Sequence, residues 1–243
     1  LNITSRKKKQ RLLQIILALS PVFCFSQVQV AKIFSDNMVL PRNKPLKFYG
    51  RANPGKLVTV LFANEKKVAR SLNDSSWAVI FKEQKENPQP QTVEITCGDE
   101  KIEIKNILVG DVWLCIGQSN MEWPMVKEKH WKDEIKNSNQ PNIRLLNPSP
   151  AGRNIFGVLY TDSLTSRLNS EKFYDWIGWQ PCDSHTVQSM SAVAYYFART
   201  INAAQAVPIG IINLSIGGAP LETFISTEAL LHHSIFNKKV IGN

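Results

Sequence analysis

The segment from Ile107 to Met121 constrains the fold of this chain more than any other. Ile107-Leu108-Val109 and Val112-Trp113-Leu114-Cys115-Ile116 form an almost continuously apolar run, as in a strand covered on both faces. The run stops abruptly at Gly117-Gln118-Ser119-Asn120-Met121. A second apolar segment, residues 209–214 after Pro208, ends in Ser215-Ile216-Gly217-Gly218. Before it, Val193, Tyr196, Phe197, Thr200, Ile201 and Ala204 recur at helical spacing, behind Ser189 or Ser191 as N-cap. A helix followed by a buried strand is the rhythm of a βαβ unit and a parallel sheet.

Upstream the pattern is different. Val58, Val60 and Phe62 alternate with Thr59 and Leu61, and Val93, Ile95 and Cys97 alternate with Glu94 and Thr96. Ile102 and Ile104 alternate with charged residues, and turn signals such as Asn53-Pro54-Gly55 and Gly98-Asp99 lie between the runs. Period-two patterning with one polar face predicts an antiparallel, sandwich-like β domain over residues 27–106. The α/β part begins at 107 and extends to 243. Residues 148–175 read as a long polar excursion on the surface.

The first 26 residues have a separate logic. Arg6, Lys7, Lys8, Lys9 and Arg11 precede an apolar run over residues 12–24, and small residues Cys24 and Ser26 follow. That order predicts a signal peptide over 1–26, cleaved near Ser26, and export to the periplasm or the extracellular space. Thirteen residues are too few to cross a bilayer, so no stable membrane anchor is expected after cleavage. The formal charge is +9, and the five basic and no acidic residues of 1–26 account for most of it, leaving +4. Without a basic stripe interleaved with aromatics, that residual charge is too little to argue for nucleic acid, and none is expected as a partner. Cys97, Cys115 and Cys182 remain, an odd number with no metal-binding spacing; buried thiols are expected rather than a disulfide framework.

Two strands of the expected sheet thus end in short glycine turns at its carboxyl edge, where open α/β sheets bind ligands. A serine at a strand-to-helix turn can present its hydroxyl, and backbone N–H groups beside it can hold an oxyanion. Gly217-Gly218 permits the same close backbone approach. Taken alone, Ser119 in such a turn is more often an N-cap than a nucleophile.

The wider string changes that balance. Gly110-Asp111-Val112-Trp113-Leu114-Cys115-Ile116-Gly117-Gln118-Ser119-Asn120-Met121-Glu122-Trp123-Pro124-Met125 resembles the nucleophile block of the sialate O-acetylesterase family, part of the SGNH (GDSL-like) hydrolase superfamily. The resemblance recurs in Ser35-Asp36-Asn37-Met38-Val39-Leu40-Pro41, in Gly178-Trp179-Gln180-Pro181-Cys182, in residues 190–197 and in residues 208–222. It implies a flavodoxin-like SGNH domain over 107–243, incomplete at its C-terminus. It also implies an acetylesterase acting on O-acetylated carbohydrate through a Ser119 acyl-enzyme, with no metal or cofactor. The N–H groups of Ser119 and of Gly218, or of Gly217, would form the oxyanion hole. Gln118, Asn120 and Glu222 are the candidate pocket residues: Gln118 and Asn120 as shapers of the turn, Glu222 as a sugar contact or a helix-start carboxylate. Ile216 and Ala219 stand where the family usually carries tryptophan and threonine, a change of pocket shape.

The family's base, a histidine in an Asp-x-x-His string, and its middle-block oxyanion asparagine have no counterpart here. His130, His185, His232 and His233 read as surface, loop or helix-end residues. The expectation is therefore a fragment unable to complete an efficient triad, with the edge at residues 209–214 unpaired. Two other readings share the fold: a non-catalytic sugar-binding remnant, and an acyl hydrolase acting on lipid or peptidoglycan.

Overall fold

The computed structural model describes residues 28–241 apart from 154 and 156; the expected signal peptide lies outside the described residues. Eight strands come first: β1 (Gln29–Val30), β2 (Val39–Pro41), β3 (Leu46–Arg51), β4 (Leu57–Phe62), β5 (Glu65–Arg70), β6 (Ser76–Phe81), β7 (Asn87–Cys97) and β8 (Glu100–Cys115). β1, β3 and β6 form one antiparallel sheet, and β8, β7, β4 and β5 follow one another in a second. The β4–β5 hairpin turns on Ala63 and Asn64, both at positive φ, the geometry whose twist suits a two-residue loop.

The alternation in the sequence becomes an inside and an outside. Val58, Val60 and Phe62 of β4, Trp77, Val79 and Phe81 of β6, and Val93 and Ile95 of β7 are buried in one apolar core between the sheets. The rings of Phe48, Phe62 and Phe81 meet edge to face at 5.7–5.9 Å, a favoured aromatic geometry.

β8 joins the two parts of the molecule. Its first half pairs antiparallel with β7, and its last five residues pair parallel with a strand from the far end of the chain. Between the halves, Asn106 sits at φ 55 and the β7–β8 register shifts, Gln91 facing Ile107 and Val93 facing Ile104. An extra residue on one strand bends it and re-aims the residues beyond the bend. The Asn106 amide donates to Asn37 Oδ1 at 2.6 Å and ties down the bend. β8 thus runs without a break through position 106.

The remainder contains the helices α1 (Ser119–Glu122) and α2 (Trp131–Glu134), then β9 (Gln140–Leu146), β10 (Ser149–Pro150), α3 (Asp162–Thr165), β11 (Tyr174–Asp175) and β12 (Gln180–Cys182). Last come α4 (Ala192–Gln205), β13 (Ile209–Asn213), α5 (Thr227–His232) and α6 (Ser234–Ile241). α4 begins at Ser191, whose hydroxyl accepts the Ala194 N–H at 3.2 Å. It buries Ala194, Tyr195 and Ala198 against Ile143, Leu145, Ile209 and Ile211 in a second core. The result is a mixed α/β protein with both antiparallel and parallel pairing.

One expectation is overturned. β13 is not an edge: it pairs parallel with β8 on one side and with β9 on the other, because β9 adds outside it. Among the described residues, β8 beyond its pairing with β2 at Leu108–Gly110 is bonded on one side only, to β13. Trp113, Leu114 and Ile116 are exposed there, Leu114 to 58%, and the Trp113 ring meets Phe197 of α4 edge-on at 4.9 Å. The excursion over 148–175 is closed at its base by β10 and β11, with Pro150 opposite Tyr174.

Candidate active site

The two glycine turns stand side by side because the strands that carry them are neighbours. The β8–β13 pairing continues past both strand ends: Leu214 N–H donates to Cys115 O, and Ile216 N–H to Gly117 O, each at 2.9 Å. Gly117 has φ 141, a conformation that L side chains rarely adopt. It turns the chain sharply into α1, whose first residue is the exposed Ser119.

Ser119, Gly217 and Gly218 line one open cleft of about 770 Å³. Glu122, Trp123 and Pro124 from the nucleophile block, Val126 and Lys127 just after it, Arg153 from the excursion, and Gln188 and Ser189 before α4 complete its walls. Of the other pocket candidates, Gln118 carries the turn through its carbonyl, which accepts the Glu122 N–H at 2.9 Å. Asn120 is exposed, and Glu222 lies half-buried in the 3-10 turn Leu221–Phe224. None of these three lines the cleft.

Two residues absent from the sequence-based set matter more. Glu122 Oε2 accepts the Gly217 N–H at 2.6 Å, and Glu122 Oε1 accepts from Arg153 Nε at 3.3 Å. Glu122 could have been suspected, since a residue three positions after Ser119 in a helix shares its face. Arg153 carried no signal, because only the folded excursion brings it to the cleft. The Gly217 amide is therefore engaged by a side chain, and Gly218 lines the cleft beside it. Gly218 has φ 78, and an added Cβ would meet nothing within 4 Å.

A chain of polar groups, buried at Asn213 and Ser215 and reaching the surface at Ser189, supports the wall. Asn213 Nδ2 donates to Asn147 Oδ1 at 2.9 Å, Asn147 Nδ2 donates to Ser189 O at 2.9 Å, and Ser215 Oγ donates to Asn213 Oδ1 at 2.7 Å. These bonds tie the ends of β9 and β13 to the loop before α4, satisfying polar groups that burial would otherwise penalise.

Among the described residues no histidine lines the cleft. His130 precedes α2, His185 precedes the 3-10 turn Thr186–Ser189, and the His233 ring packs 5.0 Å from Phe236. Nor, among the described residues, does any group of three His, Cys, Asp or Glu side chains lie together to hold a metal ion.

No family model matches the chain. Its fold is similar to part of a solved structure, the crystal structure of a carbohydrate acetylesterase from Xanthomonas citri, which superposes with a TM-score of 0.72 at 22% identity, over 85% of this chain and 44% of that one. In sequence it is similar to the sialate O-acetylesterases of Homo sapiens and Pongo abelii, each 27% identical over 215 residues. The match takes in 82% of this chain and 39% of each relative. The Rattus norvegicus sialate O-acetylesterase is 27% identical over 215 residues, covering 81% of this chain and 37% of that protein. The chain is thus similar in sequence to the sialate O-acetylesterases over most of its length, and it spans well under half the length of the curated relatives it matches.

Proposed function

We propose that this chain carries the nucleophile and oxyanion elements of an exported carbohydrate O-acetylesterase. The observation that carries the reading is the shared cleft of Ser119 and the Gly217-Gly218 turn, registered by the Ile216–Gly117 hydrogen bond. Ser119 Oγ attacks the acetyl carbonyl while a base takes its proton. The tetrahedral oxyanion is held by the N–H groups of Ser119 and Gly218. Collapse breaks the ester bond, the sugar oxygen leaves with the proton, and water then hydrolyses the acetyl-serine to acetate. The base is a histidine supplied by the part of the longer protein that corresponds to the relatives' unmatched length. The O-acetylated sugar as substrate is supported by the names of the relatives.

The finer layout belongs to the same proposal: a two-sheet β module, then the opening strands of an SGNH hydrolase domain whose later strands add to the open side of β8. Two apolar clusters support it, the first centred on the two sheets but also taking in Leu146 and Trp179 from the α/β part. Export rests on the basic-then-apolar order of residues 1–26.

The absence of a histidine from the cleft lining, among the described residues, favours a second reading, a sugar-binding protein without catalysis. Acetate release from O-acetylated sialic acid and acetylated plant glycan by the complete natural protein separates the two. In Ser119→Ala the rate is expected to fall by at least about 10³-fold. A wild-type rate in that variant would remove Ser119 from the mechanism, and sugar binding without acetate release would establish the second reading.

A further inference from the structure

We infer that Glu122 is the positioning residue of the oxyanion hole, a role that rests on the esterase reading of Ser119 given above. Glu122 and Ser119 are the last and first residues of the single turn α1, so their side chains leave it on the same side. The Glu122 carboxylate crosses from there to the opposite glycine turn, 95 positions away in sequence, and receives the Gly217 N–H at 2.6 Å. A bond from an amide to a carboxylate at that length is of the charge-assisted kind, roughly twice as strong as a neutral one. The other carboxylate oxygen takes the Arg153 guanidinium, which offsets the negative charge beside a site where an oxyanion must form.

The contact leaves no room for a side chain on the residue it meets. A Cβ built on Gly217 would lie 2.3 Å from Glu122 Oε2, so a side chain there would push the carboxylate off the Gly217 N–H; the constraint is one of space rather than of backbone freedom. With the Gly217 amide anchored, the turn that carries Gly218 is held at the cleft that Gly218 lines, where the esterase reading needs its N–H as an oxyanion donor. Transition-state stabilisation of this type depends on dipoles held in place before the charge develops. Glu122 supplies that hold without touching the substrate.

Kinetics of aryl acetate hydrolysis by the complete natural protein test the role. Glu122→Leu should lower kcat by about 10- to 100-fold with KM nearly unchanged, the pattern of an interaction felt only in the transition state. Glu122→Gln keeps an oxygen that can accept the Gly217 N–H and should recover most of that loss. Gly217→Ala should be damaging beside Glu122 and much less so in a Glu122→Ala background, where the colliding carboxylate is gone. This pair carries the test if Glu122→Leu does not fold. Equal losses in Glu122→Gln and Glu122→Leu would overturn the role, because the charge and not the hydrogen bond would then matter. An unchanged kcat in Glu122→Leu would overturn it too. Full activity in Ser119→Ala is a separate result: it sinks the esterase reading, and the positioning role with it.

Discussion

The Gly117 carbonyl accepts the Ile216 N–H at 2.9 Å, one residue before the first glycine of the second turn and two before Ser119. This bond converts strand register into site geometry, since the parallel ladder that pairs Cys115 with Asn213 also aligns the two turns. Gly117→Ala tests it. A side chain at φ 141 is strained, and its Cβ would sit 3.3 Å from Met121 Cβ. The cost should be about 1–3 kcal/mol in urea unfolding, with a larger proportional loss in kcat than the stability change alone produces.

Glu134 is buried at the end of α2, where Tyr195 Oη donates to it at 2.8 Å and Arg199 Nη1 bonds the same oxygen. Burial pushes the carboxyl upward in pKa, but the hydrogen bonds from Arg199 and Tyr195 prevail and hold it below its ordinary value. Glu134→Ala leaves a cation and a phenol without their partner. The Arg199 side chain is 34% exposed, so the loss should be about 2 kcal/mol rather than the roughly 3–5 of a fully buried pair. Chemical denaturation of the variant checks this.

Asp183 organises the approach to the cleft wall. Its Oδ1 accepts the N–H groups of Thr186 and His185, each at 2.8 Å, two to four residues before Gln188 and Ser189. The Thr186 N–H chiefly, against the opposing effect of burial, and then the His185 N–H hold this carboxyl below its ordinary 3.8. A depressed folded-state pKa contributes stability above the unfolded value and loses it as pH falls through the folded one. Asp183→Asn should therefore lower Tm at pH 7, and the gap from wild type should close below about pH 4. A gap independent of pH would show that the charge plays no part.

Cys97, Cys115 and Cys182 are buried thiols with no disulfide joining them. Desolvation raises Cys115, and desolvation followed by the nearby Asp183 charge pushes Cys182 up to about 12. At pH 8 the Cys182 thiolate fraction is then about 10⁻⁴. A thiol-titrating reagent should leave Cys115 and Cys182 unmodified in the native protein and react with both promptly in denaturant. Prompt native-state reaction would contradict their burial.

Much of the fold was legible locally. The alternation at Val58-Val60-Phe62 and Val93-Ile95 became buried faces, and Ser191 proved to be the cap of the helix. These features depend on residues a few positions apart, whose periodicity the chain carries with it. The helix shows where local reading stops. Val193 and Phe197 share its spacing yet are exposed, while Ala194, Tyr195 and Ala198 face the core, because the strands it covers decide which stripe is inward.

By itself, then, the sequence determined the kinds of element, the two glycine turns and the serine at the strand end. The tertiary structure alone decided that β9 adds outside β13 and leaves β8 open, that Glu122 takes the Gly217 amide, and that Arg153 returns from the excursion to meet it. The physical reason is separation. A strand's apolar pattern is satisfied by several neighbours, and a carboxylate can accept from any exposed amide. Which partner it meets is settled only when packing of the whole sheet brings positions 31 and 95 residues apart to within hydrogen-bond distance.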